Sequence, residues 1–176
     1  MRRHRLVRGA MKWAHIAQEV VPMLRQRFPI NKRIGILGSS MDGVISLWTA
    51  WPYPQTFIWA ASLSGTLGWG HLQAQNPTIL ESWLHRVPAT GHFYVDSGGS
   101  LSAGSCPQIL QGVWTQPYYR DSDNYCANLE FYGRLSPYIK DRLVYHWEPD
   151  AQHAEDACSR RLPLALSHFL AVPSGP

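Results

Sequence analysis

Two short segments of this chain hold the residue types that serine-based acyl transfer needs. In Gly35-Ile-Leu-Gly38-Ser39-Ser40-Met41-Asp42-Gly43, a glycine precedes a serine by two positions, between an apolar run and a helical pattern. A strand–Gly-x-Ser-x–helix turn lifts the serine oxygen clear of the C-terminal edge of a sheet. The helix N-terminus beside it favours developing negative charge. Ser40 takes the nucleophile position, and the Met41 backbone N–H is one oxyanion donor. A serine hydroxyl is a weak nucleophile at neutral pH, so a base is required. His153 offers one, in Pro149-Asp-Ala-Gln-His153-Ala-Glu, between the last strand pattern and the last helix. Two positions compete for the acid that orients such a base. Asp123, with Asp121 just ahead of a helix, is favoured, and Asp96, at the end of the third strand, comes second. Plainer roles stand beside these: a serine helix cap, aspartates that cap the following helix, and a surface histidine.

These residues need a scaffold, and the patterning supplies one. Residues 10–28 carry apolar residues at helical spacing (Ile16, Val20, Leu24), with Pro22 predicting a kink or a broken turn. Arg33–Gly38, Phe57–Leu63, His92–Asp96 and Leu143–Glu148 read as strands. Met41–Trp51, Ile79–Val87, Asn124–Ile139 and Arg160–Leu170 read as helices, and a Ser/Gly/Pro/Tyr-rich loop spans about residues 100–120. Strands alternating with helices predict right-handed crossovers and a parallel sheet of about four strands.

Composition excludes other classes. The chain has 176 residues, 45% hydrophobic and 16% charged, too apolar for a disordered chain and suited to one domain. No apolar run reaches the roughly 18 residues of a membrane span, so no membrane partner is expected. The net charge of +4 is local, with four arginines within Arg2–Arg8, and gives no nucleic-acid-binding face. Lys12, His15, Gln18 and Glu19 interrupt any export signal after the basic start. Cys106, Cys126 and Cys158 lack metal-type spacing, and the other histidines lack ligand-like pairing, so neither metal nor cofactor is expected.

At this point a resemblance becomes specific. Ile36-Leu-Gly-Ser-Ser-Met-Asp-Gly-Val-Ile-Ser-Leu resembles the nucleophile turn of the putative-esterase (esterase D-like) family of the α/β-hydrolase superfamily, which typically shows Gly-Ser-Ser-Met-Gly-Gly-Leu-Ile-Ser. Phe93-Tyr-Val-Asp-Ser-Gly-Gly99, Asp123-Asn-Tyr-Cys126 and Trp147-Glu-Pro-Asp-Ala-Gln-His153-Ala-Glu155 resemble further family blocks in the same order, ahead of an Arg161-Leu162 pair. The resemblance covers about residues 15–171. It implies an α/β-hydrolase-like parallel sheet flanked by helices and a metal-free serine esterase acting on a small-molecule ester.

It also implies that Cys106 and Cys126 pair across the long loop; Cys158, on or near the last helix, reads as a buried free thiol. Trp69, in the loop after the second strand, is the candidate pocket residue. The expected organisation is a basic tail (1–9), a truncated hydrolase domain (10–172) and a short C-terminal tail (173–176). Three departures from the pattern stand out. Asp42 replaces a glycine expected where helix and strand approach closely, and puts negative charge near a forming oxyanion; its plainer reading is a first-turn carboxylate favoured by the helix dipole, with Gly43 preserving the close packing. Ala154 replaces the usual Asn after the histidine, and Ala157-Cys158 falls where the family tends to have Trp. The family's N-terminal strands are also missing, which leaves one edge of Arg33–Gly38 open to self-association.

Overall fold

The computed structural model describes residues 14–68, 77–99, 106 and 121–173; of residues 121–123 only the backbone is described. A four-stranded parallel sheet runs in the order β1 (Gly35–Ser39), β2 (Trp59–Leu63), β3 (His92–Ser97), β4 (Leu143–Trp147). Between the strands lie α2 (Ser40–Ala50), α3 (Ile79–His85) and α4 (Asp121–Ile139). The last helix is α5 (Glu155–Ala171).

Ahead of β1 the chain forms a π-helical segment, Ile16–Val20, that runs into α1 (Val21–Arg27). The Val21 N–H bonds Ile16 O, five residues back, and Pro22 occupies the first turn of α1. Proline has no N–H to give, and the widened turn absorbs that loss where a kink was expected.

Period-2 alternation sorts the strands onto two faces. Ala60, Phe93, Val95 and Leu143 join Val44, Leu47, Trp83, Phe131 and Leu135 of α2, α3 and α4 in one core. Trp59, Ala61, Leu63 and Tyr94 face the other way and pack on Cys158, Ala165 and Leu162 of α5. Helices on both faces explain why β2 is buried throughout. β1 differs: among the described residues it pairs with β2 alone and lies at the edge of the sheet, and it is half-buried along its whole length. Among the described residues no strand pairs with its outer edge. Beside it, between α2 and α5, lies a cavity of about 680 Å³ whose lining includes Ile36, Leu37, Ile45, Leu162, Asp42 and Glu155.

Helix ends moved most between expectation and structure. α5 begins at Glu155, five residues before the expected start, with Ala154 as its N-cap. Ala154 makes no side-chain cap bond, and Glu155 and Asp156 in the first turn complement the helix dipole instead. α4 begins at Asp121, so both aspartates read as possible caps lie within its first turn. α3 carries a full capping box: Thr78 Oγ1 accepts from the Glu81 N–H at 3.2 Å, and Glu81 Oε2 accepts from the Thr78 N–H at 2.7 Å.

Candidate active site

Register aligns the C-terminal ends of the strands, with Ser39 beside Leu63 and Leu63 beside Asp96. The loops that leave this edge therefore converge, which is where open α/β sheets carry their sites. Ser40 is the first residue of α2 and sits at φ 51°, a left-handed conformation that costs a non-glycine residue about 1–3 kcal/mol. Two glycines make the turn possible. A Cβ on Gly38 would lie 2.5 Å from both the carbonyl carbon and the oxygen of Asp42. A Cβ on Gly43 would lie 2.5 Å from Ser62 Oγ and 3.1 Å from Gly38 O. The close approach falls on Gly43, as the sequence pattern allowed, and on Gly38. Asp42 is exposed and turns its side chain toward the edge cavity.

The first-turn N–H groups of α2, Met41's among them, have no intrahelical partner. The Thr66 N–H bonds Ser40 O at 3.2 Å, which ties the turn to the loop after β2.

His153 reaches Ser40 from the far side of the sheet, its Nε2 2.9 Å from Ser40 Oγ. Its loop is fixed at several points. The Glu148 N–H bonds Ser97 O at 3.0 Å, Trp147 Nε1 donates to Gly99 O at 2.7 Å, and a Cβ on Gly98 would overlap the Ala151 carbonyl. Arg161 of α5, almost fully buried, donates from Nη1 to Glu148 Oε2 at 2.6 Å and from Nη2 to Ser64 Oγ at 2.5 Å. One guanidinium thereby clamps the start of the histidine loop to the loop after β2.

The two candidate acids separate. Asp96 is fully buried and lies on the α5 face, two residues along β3 from Tyr94. Its Oδ1 accepts from the Ser64 N–H at 2.8 Å and pairs with Arg161 Nε at 3.1 Å. Burial pushes its carboxyl above the usual range, against the opposing pull of Arg161. Asp96 is therefore the buried counter-ion of Arg161 and not the partner of His153, a correction that strand alternation explains. Asp123 lies in the first turn of α4, and its side chain is outside the described residues.

The described neighbour at His153 Nδ1 is Asn124, whose Nδ2 stands 2.6 Å away. Sequence reasoning passed over Asn124 and Asn128. Their i,i+4 spacing on a helix was the available signal, since such pairs share a face. Ser39 Oγ, next to Ser40, donates to Glu155 at 3.2 Å.

Cys106 and Cys126 form a disulfide, as the resemblance implied, and Cys158 is a free buried thiol whose pKa burial raises. Trp69 lies outside the described residues. Among the described residues, no group of three or more His, Cys, Asp or Glu side chains is placed to hold a metal ion. Among the same residues, no helix is long and apolar enough to cross a membrane.

Comparison with known proteins finds similarity to esterases. The chain is 25% identical over 147 residues to the iron(III) enterobactin esterase of Escherichia coli, which covers 82% of this chain and 32% of that protein. It thus spans about a third of that relative's length. The ferric enterobactin esterase of Salmonella typhimurium superposes with a TM-score of 0.68 at 16% identity, over 91% of this chain and 36% of the other. MPT51 of Mycobacterium tuberculosis superposes with a TM-score of 0.60 at 12% identity, over 92% of this chain and 68% of the other. These superpositions share the fold of the sheet. The family model described as Putative esterase matches residues 7–123, a stretch that holds the Ser40 turn, β2, β3 and the start of α4. The chain belongs to the Putative esterase family.

Proposed function

We propose that this chain carries the catalytic core of a serine esterase that cleaves carboxylic esters through an acyl-enzyme. The observation that carries the reading is the 2.9 Å contact between Ser40 Oγ and His153 Nε2, on a left-handed serine at the mouth of a parallel sheet. Ser40 Oγ attacks the ester carbonyl carbon while its proton passes to His153 Nε2. The carbonyl oxygen gains the negative charge and accepts the Met41 N–H. The C–O bond to the alkoxide breaks, and His153 returns the proton to the leaving oxygen. Water, deprotonated by the same nitrogen, then releases the acid and restores Ser40. Asp123 is the proposed acid, and Trp69 a proposed wall of the acyl pocket. The names of the enterobactin esterases suggest that a siderophore ester belongs in the substrate screen. Turnover of p-nitrophenyl acetate tests the reading: it should vanish in Ser40→Ala, and turnover unchanged in that variant refutes it.

A second reading has its own observation. The half-buried edge of β1 and the adjoining apolar cavity favour a protein that associates with itself there, with little or no catalysis. Sedimentation velocity over a concentration series tests it: a dimer supports edge pairing, and a monomer throughout removes it.

A further inference from the structure

Arg161 stands 13 residues beyond Glu148, the residue that opens the histidine loop. Glu155 starts α5, and Arg161 lies about 9 Å further along the helix axis. From there the guanidinium turns back, and its Nη1 comes within 2.6 Å of Glu148 Oε2. The two ends of the segment that carries His153 are therefore joined at one buried side chain, 2% exposed.

A second route runs through Ser64. This residue is fully buried at φ 47°, a left-handed backbone that persists where the surroundings over-determine it. Its N–H bonds Asp96 Oδ1 at 2.8 Å, its Oγ accepts from Arg161 Nη2, and its carbonyl accepts from Asn124 Nδ2 at 3.0 Å. The same Asn124 nitrogen stands 2.6 Å from His153 Nδ1. Arg161 thus bears on His153 both from the base of its loop and from the edge of its ring.

We infer that Arg161 is a positioning residue for His153, setting the imidazole against Ser40 through Glu148 on one side and Ser64 on the other. The consequence for turnover rests on the esterase reading. Arginine suits this task because its planar fork aims Nη1 and Nη2 at two acceptors while Nε faces Asp96 at 3.1 Å. Lysine would keep the charge beside Asp96 but offers one ammonium in place of the fork.

Two variants of the full chain test the inference. Arg161→Lys should lower kcat for p-nitrophenyl acetate by about tenfold or more, the loss that a displaced base produces, with KM within about threefold of the parent. Glu148→Ala cuts the loop link alone, at a side chain 29% exposed, and leaves the Arg161–Asp96 pair in place. It should lower kcat in the same way, and it carries the test if Arg161→Lys does not fold. Parental kcat in a folded variant overturns the inference. A second readout is independent of turnover. In ¹⁵N-histidine-labelled protein, the His153 ring signals, assigned by their loss in His153→Gln, should shift or broaden in Glu148→Ala. The signals of His168, held on the same helix by Trp59 Nε1 at 2.8 Å, should stay in place. His153 signals that do not move, or His153 and His168 signals that move together, refute a positioning role. A parent Ser40 that never takes a fluorophosphonate removes the esterase reading, while the His153 signals still decide the role of Arg161.

Discussion

Gly38→Ala is a one-carbon perturbation whose size follows from the geometry of the Ser40 turn. The new Cβ would meet the Asp42 carbonyl carbon and oxygen at 2.5 Å and Asp42 Cβ at 2.7 Å. Ordinary contact begins near 3.4 Å, so the first turn of α2 must retreat from β1 by about 1 Å, and the obstacle is backbone that cannot rotate aside. Gly38 lies in an extended strand, so alanine suffers no backbone penalty there and the cost is contact alone. Overpacking of this kind costs about 1–3 kcal/mol. The functional cost is larger. Ser40 rides on the turn that moves, and a displacement of about 1 Å from the His153 contact lowers rate by about 10²-fold. Urea unfolding and the rate of fluorophosphonate labelling measure the two effects on the same samples. Gly38→Ala that keeps both the stability and the labelling rate of the parent would refute the close-approach argument.

Other consequences are smaller or concern different parts of the molecule. Asp42→Asn removes a first-turn carboxylate and should cost about 0.3–1 kcal/mol of stability. The same change should raise the labelling rate, by up to about fivefold, since the charge opposes oxyanion formation; a slower rate contradicts that reading. Glu148 is held below its ordinary value of 4.5, first by its hydrogen bond to Arg161. The unfolded chain therefore takes up the proton first as pH falls, so the contribution of Glu148 is complete above about 4.5 and is lost as pH drops through its depressed value. Thermal melts of Glu148→Gln from about pH 6 to about pH 3 should show a shallower acid decline than the parent, and parallel curves would exclude the Arg161 clamp as its cause. The Cys106–Cys126 disulfide closes a loop with a sequence separation of 20, worth about 3 kcal/mol in loop entropy. Replacing both cysteines with serine should lower unfolding stability by about that amount, and a loss below about 1 kcal/mol would place the restraint elsewhere.

Much of the scaffold was legible because it rests on local signals. The four apolar runs each became a strand, and each intervening helical pattern became a helix, with ends shifted by a few residues. Ser40 and His153 were legible for the same reason: one sits on a turn that glycine spacing announces, the other in a loop between two regular elements. The partner of His153 was not. Asp96 is two residues from Tyr94 on a strand whose alternation points it at α5, and only the three-dimensional position of Arg161, 65 residues later in the chain, decides what that carboxylate meets. Asn124 and Asn128 escaped because buried amides carry no chemical signature of their own. Their roles come from the Ser64 and Gly65 carbonyls, which reach them across the fold. At Asp42 the sequence pattern left the close packing to Gly43, and the structure adds Gly38, whose missing Cβ leaves room for the Asp42 backbone.

Intact-mass analysis after fluorophosphonate treatment, with Ser40→Ala as the control, tests the central claim most directly. The account predicts one adduct on the parent chain and none on the variant. A folded, monodisperse parent that takes up no adduct, or a variant that takes up the same one, would contradict it.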